Sequence, residues 1–258
     1  MNKLMLIDSH CHLDDDRFDV DRDQVVARAR VRGINRIVIP STTAARWHKL
    51  KSVCERYDGL HAAYGLHPMF TDQHQNIHLR ELDEWLDREK PVAVGECGLD
   101  FFDSRRDEAW QLQLFNAQLQ LACNHGLPVI VHARKAMDQV ISLLKSASLC
   151  GGVIHSFSGS LQQAKQIIDL NFKLGIAATV SFDRAKKLRS IVAQVADHAL
   201  VIESDAPDQP GEGHRGERNE PAYLVDHLQT IAELRETSCE ALTAQLQRNS
   251  EALFNFAV

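Results

Sequence analysis

Eight short apolar or β-branched runs recur along this chain with helix-like segments between them, and that alternation constrains the fold more than any other feature. The runs are Leu4 to Asp8, Arg36 to Pro40, His61 to Gly65, Val92 to Gly95, Val129 to His132, Val153 to His155, Phe172 to Ile176 and Leu200 to Glu203. Their spacing averages roughly thirty residues, the length of a strand with its returning helix, and such alternation builds a parallel sheet. Eight units in 258 residues predict an α/β fold, a TIM-like (β/α)₈ barrel, as one domain over residues 1–258.

The intervening helices have readable ends. In Asp107 to Asn124, residues Leu114, Phe115, Gln118, Leu121 and Ala122 share one stripe at helical period, Asp107 suits the N-cap and Gly126 stops the helix. Asp21 to Arg32 turns Val25, Val26 and Ala29 inward, with Gly33 placed for a left-handed C-terminal cap. The polar, irregular segment from Asp208 to Pro221 follows the eighth run directly. In a barrel it overhangs the strand C-termini, where active sites sit.

The strongest chemical signal lies at those same ends. His10 and His12 are two residues apart at the end of the first run, so both imidazoles point to one side, while Cys11 faces away and packs. Glu96, His132, His155 and Asp205 stand at matching ends of four further runs. Six nitrogen and oxygen ligands on one rim exceed the three that a tetrahedral catalytic ion uses. Two ions sharing a carboxylate would use them all, and such a pair can clamp attacking and leaving oxygens. Imidazole with carboxylate admits Zn, Mn, Fe, Co or Ni, and Mg less readily.

Composition limits the setting. A net charge of −6 leaves no broad basic surface, so any phosphate must be held locally. The six cysteines carry no CxxC pair or framework spacing, which fits the reduced thiols of a cytoplasmic protein. Met1 to Ile7 has neither the basic flank nor the apolar length of a signal peptide, and no run is long enough to span a bilayer. No segment marks an oligomer interface.

A set of ordered motifs then identifies a family. They are Ile7-Asp8-Ser9-His10-Cys11-His12-Leu13, Gly65-Leu66-His67-Pro68, Val94-Gly95-Glu96-Cys97-Gly98-Leu99-Asp100 and Pro128-Val129-Ile130-Val131-His132-Ala133-Arg134. They continue in His155-Ser156-Phe157-Ser158-Gly159-Ser160, Glu203-Ser204-Asp205-Ala206-Pro207, Arg218-Asn219-Glu220-Pro221 and Asn249-Ser250-Glu251-Ala252-Leu253-Phe254. Over nearly its whole length the chain resembles the TatD family of metal-dependent hydrolases. The resemblance implies that His10, His12 and Asp205 hold one ion, His132 and His155 hold a second, and Glu96 bridges them. It also implies Mg- or Mn-dependent DNase activity, often exonucleolytic. Glutamate in the fourth run, where phosphotriesterase-like relatives carry a carboxylated lysine, favours TatD over those neighbours. Asp208 stands where many members have an aromatic residue, which looks like the YjjV subgroup, and its charge is expected to repel a phosphate backbone.

Roles follow from these expectations. Two divalent ions (Mg, Mn or Zn) would acidify a water whose proton Asp205 accepts, unless Asp205 is a ligand only. Arg134, on the same side of its run as His132, is a candidate phosphate contact, as are Arg215 and Arg218 in the long loop; each could instead face only water. His67 could bind substrate or orient a neighbour. Trp47, Trp85 and Trp110 read as core anchors, and the remaining histidines as exposed or structural. The expected substrate is DNA or another phosphodiester. The alternatives are a small ester, lactone, amide or phosphoester, and a non-catalytic metal-binding scaffold.

Overall fold

A computed structural model describes residues 5–256. Leu4, the first residue of the first predicted run, lies outside the described residues. Strands and helices alternate as β1 (Leu6–Asp8), α1 (Arg22–Val31), β2 (Ile34–Pro40), α2 (Trp47–Arg56), β3 (Leu60–Tyr64), α3 (Asn76–Glu89), β4 (Ala93–Asp100) and α4 (Glu108–His125). They continue as β5 (Val129–Arg134), α5 (Met137–Ser146), β6 (Gly152–Ile154), α6 (Leu161–Asp169), β7 (Phe172–Ile176), α7 (Lys186–Gln194), β8 (Leu200–Ile202), α8 (Leu224–Leu234) and α9 (Cys239–Phe254). The eight strands lie side by side in sequence order, each parallel to the next.

The seam between the last strand and the first closes at the C-terminal rim. Ser9 N–H donates to the Ile202 carbonyl at 3.0 Å, Asp205 N–H to that of His10 at 2.9 Å, and His12 N–H to that of Ala206 at 2.8 Å. The expected ligands therefore help to close the barrel with their own backbone. β1, β6 and β8 end one to four residues before these side chains, and β4 runs on past the predicted end at Gly95 to Asp100.

Two apolar layers hold the fold. The larger joins strands to the surrounding helices and takes in Cys11, Trp47 and Trp85. The smaller comprises Ile7, Val38, Ala63, Ala93, Ile130, Val153 and Val201 with Phe254 and Phe256. Ile130 and Val153 precede His132 and His155 by two residues, so this second layer fills the barrel interior beneath the site. Phe254 and Phe256 plug the opposite mouth, where Phe256 packs on His61 with ring centroids 4.4 Å apart and lies under the Arg36 guanidinium. Both helices singled out above end as expected. The Asp107 carboxylate caps α4 by accepting from Trp110 N–H, and Gly126 and Gly33 follow α4 and α1 with φ of 62° and 88°. Two buried glutamines of α4 then grip the loops that carry the site: Gln118 exchanges hydrogen bonds with the backbone of Leu66, and Gln111 with that of Asp100.

Truncating the plug should destabilise the protein without touching the opposite rim. Phe254→Ala is expected to cost about 3–5 kcal/mol in chemical denaturation, the usual loss for a fully buried phenyl ring, while the folded fraction retains its metal stoichiometry. A loss below about 1 kcal/mol would show that the ring is not part of the barrel interior.

Candidate metal centre

Glu96 occupies the middle of the C-terminal rim because β4 carries one more residue than β5 between the pairs Val94–Val129 and Cys97–Val131. Such a bulge re-aims the side chain that it carries. Glu96 is 1 % exposed, and its two oxygens face different groups of rings. Oε2 lies 3.1 Å from His10 Nε2 and 3.5 Å from His12 Nε2. Oε1 lies 2.9 Å from His67 Nε2, 3.0 Å from His132 Nδ1 and 3.2 Å from His155 Nε2. Asp205, in the left-handed region with φ of 55°, brings Oδ1 to 3.5 Å from His10 Nε2 and 3.8 Å from His12 Nε2. Aspartate tolerates that backbone region better than most residues.

The outer ring nitrogens are fixed from behind. His12 Nδ1 lies 3.2 Å from the Pro40 carbonyl, His132 Nε2 lies 3.0 Å from Asp100 Oδ2, and His155 Nδ1 lies 3.3 Å from Glu203 Oε1. The outer nitrogens of His12 and His132 thus have acceptors, and that of His155 lies beside a carboxylate without a directed bond. Once the inner nitrogens give up their protons, their lone pairs are free for a cation, as in metal-binding histidines held by a carboxylate or carbonyl. His67 is wired the other way. Its Nδ1 accepts from Met69 N–H at 3.0 Å, so Nε2 carries the proton and donates it to Glu96. Of its two expected roles, orienting a neighbour is the one with a visible contact.

Charge is balanced tightly here. Burial would raise the Glu96 carboxyl, but the charges of His67, His155 and His10 outweigh it and hold the group well below its ordinary range. Burial likewise opposes a charge on His12, yet the hydrogen bond and charge of Glu96, with Asp205, raise the ring to about 9. His155 is raised well above 6.5 against burial by the charges of Glu96 and Asp205, and His132 is raised against burial by its bonds to Asp100 and Glu96. His10 is pushed well below 6.5 by burial and by the charge of His155, and His67 to about 4 mainly by burial. Burial lifts Asp205 to about 6 despite His155 and His12. Metal ions would relieve this crowding. Glu96 Oε2 and His10 Nδ1 are buried without a hydrogen-bond partner, and a carboxylate oxygen on which two ring nitrogens converge without a directed bond fits a cation. Two groups with ligand-type atoms within 4.8 Å of one another include Glu96, one with His10 and His12, the other with His67 and His132.

Around these rings opens a cleft of about 790 Å³. Arg134 lines it, 3.7 Å from the Phe102 ring centroid. Arg215 and Arg218 do not line it, contrary to expectation. Arg218 is held by both oxygens of Asp21 and by the Arg17 carbonyl, and stacks over Phe18, so it ties the long loop to the first turn of the fold. Asp208 does line the cleft, but Arg17 grips both of its oxygens at 2.9 and 2.8 Å, which answers the expected repulsion with a local counter-charge. Sequence reasoning assigned nothing to Asp100, Glu203 or Gln209, whose amide donates to Asp205 Oδ2. The signal for the first two was their even spacing from Glu96 and Asp205, which puts them on the same side of an extended chain. For Gln209, two residues past Pro207 in irregular backbone, there was none.

A family model described as TatD related DNase matches residues 7–255. The uncharacterized metal-dependent hydrolase YjjV of Escherichia coli K12 is 37% identical over 252 residues, covering 96% of this chain and 97% of that one. A Pantoea protein named 3'-5' ssDNA/RNA exonuclease TatD is 32% identical, covering 98% of this chain and all of the other. The crystal structure of the Escherichia coli K12 YjjV, a TatD homologue, superposes with a TM-score of 0.94 over 98% of each chain. With a barrel rim of imidazoles around one carboxylate and a match along nearly its full length, the chain belongs to the TatD family of metal-dependent hydrolases.

Proposed function

We propose that this hydrolase cleaves phosphodiester bonds of nucleic acid in the cytoplasm, shortening strands from the 3′ end, with two divalent ions of Mg, Mn or Zn. His10, His12 and Asp205 would hold one ion and His132 and His155 the other, with Glu96 between them. The observation that carries the two-ion reading is the division of labour at Glu96, whose Oε2 faces His10 and His12 and whose Oε1 faces His132 and His155. Bound there, such ions polarise a phosphoryl oxygen and acidify a water.

The chain's own residues supply the rest. Asp205 sits at the cleft, where burial lifts its carboxyl to about 6 in the metal-free protein and a bound cation would lower it, leaving a carboxylate free to accept a proton, and the Gln209 amide holds its other oxygen in place. Arg134 offers a cation to the phosphate beside His132. The reading as a phosphodiesterase is favoured over a small carbonyl ester by the cations on the cleft wall, and the Pantoea relative's printed activity supports the 3′ polarity. All six cysteines are free, in keeping with a reducing compartment.

The direct test is metal-stripped protein re-supplied with Mg, Mn or Zn on end-labelled single-stranded DNA, beside a panel of small esters. Metal-dependent loss of 3′ nucleotides is expected, reduced about 100-fold or more in Glu96→Ala. Inert DNA alongside a cleaved carboxylic ester would overturn the substrate and keep the centre. Asp100→Asn should weaken metal binding or turnover by about 10–100-fold, since His132 then loses its anionic acceptor; unchanged metal titration and turnover would show that Asp100 does not hold the ring.

The metal-free protein should also respond to pH in one direction. His12, His132 and His155 bind protons more tightly folded than unfolded. Their contribution to stability is therefore full below the unfolded value of 6.5 and is lost as pH climbs through about 9 for His12. The Tm of stripped protein should fall between pH 6.5 and 9, and metal uptake near pH 7 should expel protons, measurable by calorimetry in buffers of different ionisation enthalpy. A flat Tm with no proton release would show that the rings are neutral before metal arrives.

A further inference from the structure

Beyond the metal centre, the cleft wall is completed by the segment that leaves β7 and the first turn of α7, where Thr179, Arg184, Lys187 and Leu188 line the same cavity as Glu96 and Asp205. No function has been assigned above to Arg184 or Lys187. Most arginines elsewhere on the surface are held by carboxylates: Arg17 by Asp15 and Asp208, Arg28 by Glu220, Arg46 by Asp14 and Asp16, Arg56 by Asp23, and Arg218 by Asp21. Arg184 and Lys187 have no ion pair among the described residues, although the chain carries an excess of acidic groups. Arg184 instead lies 4.9 Å from the Phe182 ring centroid, which keeps its guanidinium extended without neutralising it.

The placement does not serve the helix either. Lys186 and Lys187 open α7, whose first turn has no acidic residue, and cations at a helix N-terminus oppose the backbone dipole. Two uncompensated cations on a cleft wall, one of them against its own helix, are accounted for by an anion that arrives with the substrate.

We propose that Arg184 and Lys187 form a backbone subsite that holds a second phosphate of a single-stranded nucleic acid, away from the phosphate undergoing cleavage. The subsite rests on the phosphodiester reading and deepens it: the preferred substrate is a strand with at least two phosphodiesters, not a lone phosphate ester. Positively charged grooves track a strand in this way, independently of base sequence. Arg134, with the half-exposed Phe102 beside it, lines the same cleft.

Binding tests this without turnover. Metal-stripped protein is titrated by fluorescence anisotropy against a labelled single-stranded ten-mer over a range of salt, comparing wild type with the double variant Arg184→Gln, Lys187→Gln. Both side chains are surface groups, so folding is retained, and circular dichroism checks it. The variant should bind at least about tenfold more weakly, and its log Kd should depend less steeply on log salt by about 0.7, the slope expected for one lost phosphate contact on a single strand. With metal restored, KM for the ten-mer should rise while hydrolysis of bis(4-nitrophenyl) phosphate, which has one phosphate, stays unchanged. Equal affinity and slope in both proteins, a ten-mer that does not bind, or equal losses on both substrates would overturn the subsite. Cleavage of the single-phosphate ester by wild type would leave the phosphodiesterase reading standing in each of those cases, whereas a ten-mer bound through these residues but not cleaved, with the ester also intact, would overturn that reading alone.

Discussion

A carboxylate buried at 1 % exposure cannot remain ionised in a protein interior unless cations or N–H donors surround it, and Glu96 meets that condition with five imidazoles from four segments, of which His12, His132 and His155 hold their protons tightly and His67 donates its Nε2 N–H. Those segments follow or end β1, β3, β5 and β6, while Glu96 itself comes from the bulge in β4. The consequence is mutual dependence. The imidazoles raise one another's cost, as the depressed His10 shows, and Glu96 offsets it; Glu96 in turn is tolerable only because the rings are there. A site built this way is poorly satisfied by protein alone, which explains why Glu96 Oε2, His10 Nδ1 and His155 Nδ1 have no hydrogen-bond partner.

The supporting layer shows how the barrel makes room for that arrangement. A Cβ on Gly98 would stand 2.1 Å from the His132 carbonyl oxygen, and one on Gly175 would stand 2.3 Å from Glu203 Oε2. The first glycine lets β4 approach β5 closely enough for Asp100 to reach the His132 ring, and the second leaves space for the carboxylate behind His155. Both sit in strands whose pattern otherwise demands side chains. Rigid strands thus set the ring positions, and the loops beyond them are free to carry specificity.

How much of this was legible depended on whether a residue's position followed from chain periodicity. The strand at Phe172–Ile176 and the helix capped by Asp107 were readable because alternation, N-cap and terminal glycine act locally. The gathering of His10, His12, Glu96, His132, His155 and Asp205 was readable because barrel strands end on one rim, so strand-end residues must meet. What escaped was set by long-range pairing. Nothing within the loop 208–221 could show that Arg218 is spoken for by Asp21, or that Arg17 neutralises Asp208, because each partner lies about two hundred residues away in sequence. The extension of β4 escaped for a related reason: a bulge is defined by the neighbouring strand, and Gly95-Glu96 alone reads as a strand end.

Net charge and the anionic substrate proposed for the site are reconciled by the same partition. A chain at −6 repels nucleic acid at long range, so attraction must be confined to places where cations are left unanswered. The fold ties Arg28, Arg46, Arg56 and Arg218 into carboxylate pairs around α1, α2 and the long loop, away from the cleft. Arg184 and Lys187 face it without a carboxylate, and Arg134 only at 4.0 Å from Asp100. These cations and the metal-ligand rim line one and the same cleft. A strand of the kind proposed would then be drawn to the cleft while the net charge of the chain opposes binding over the rest of the surface.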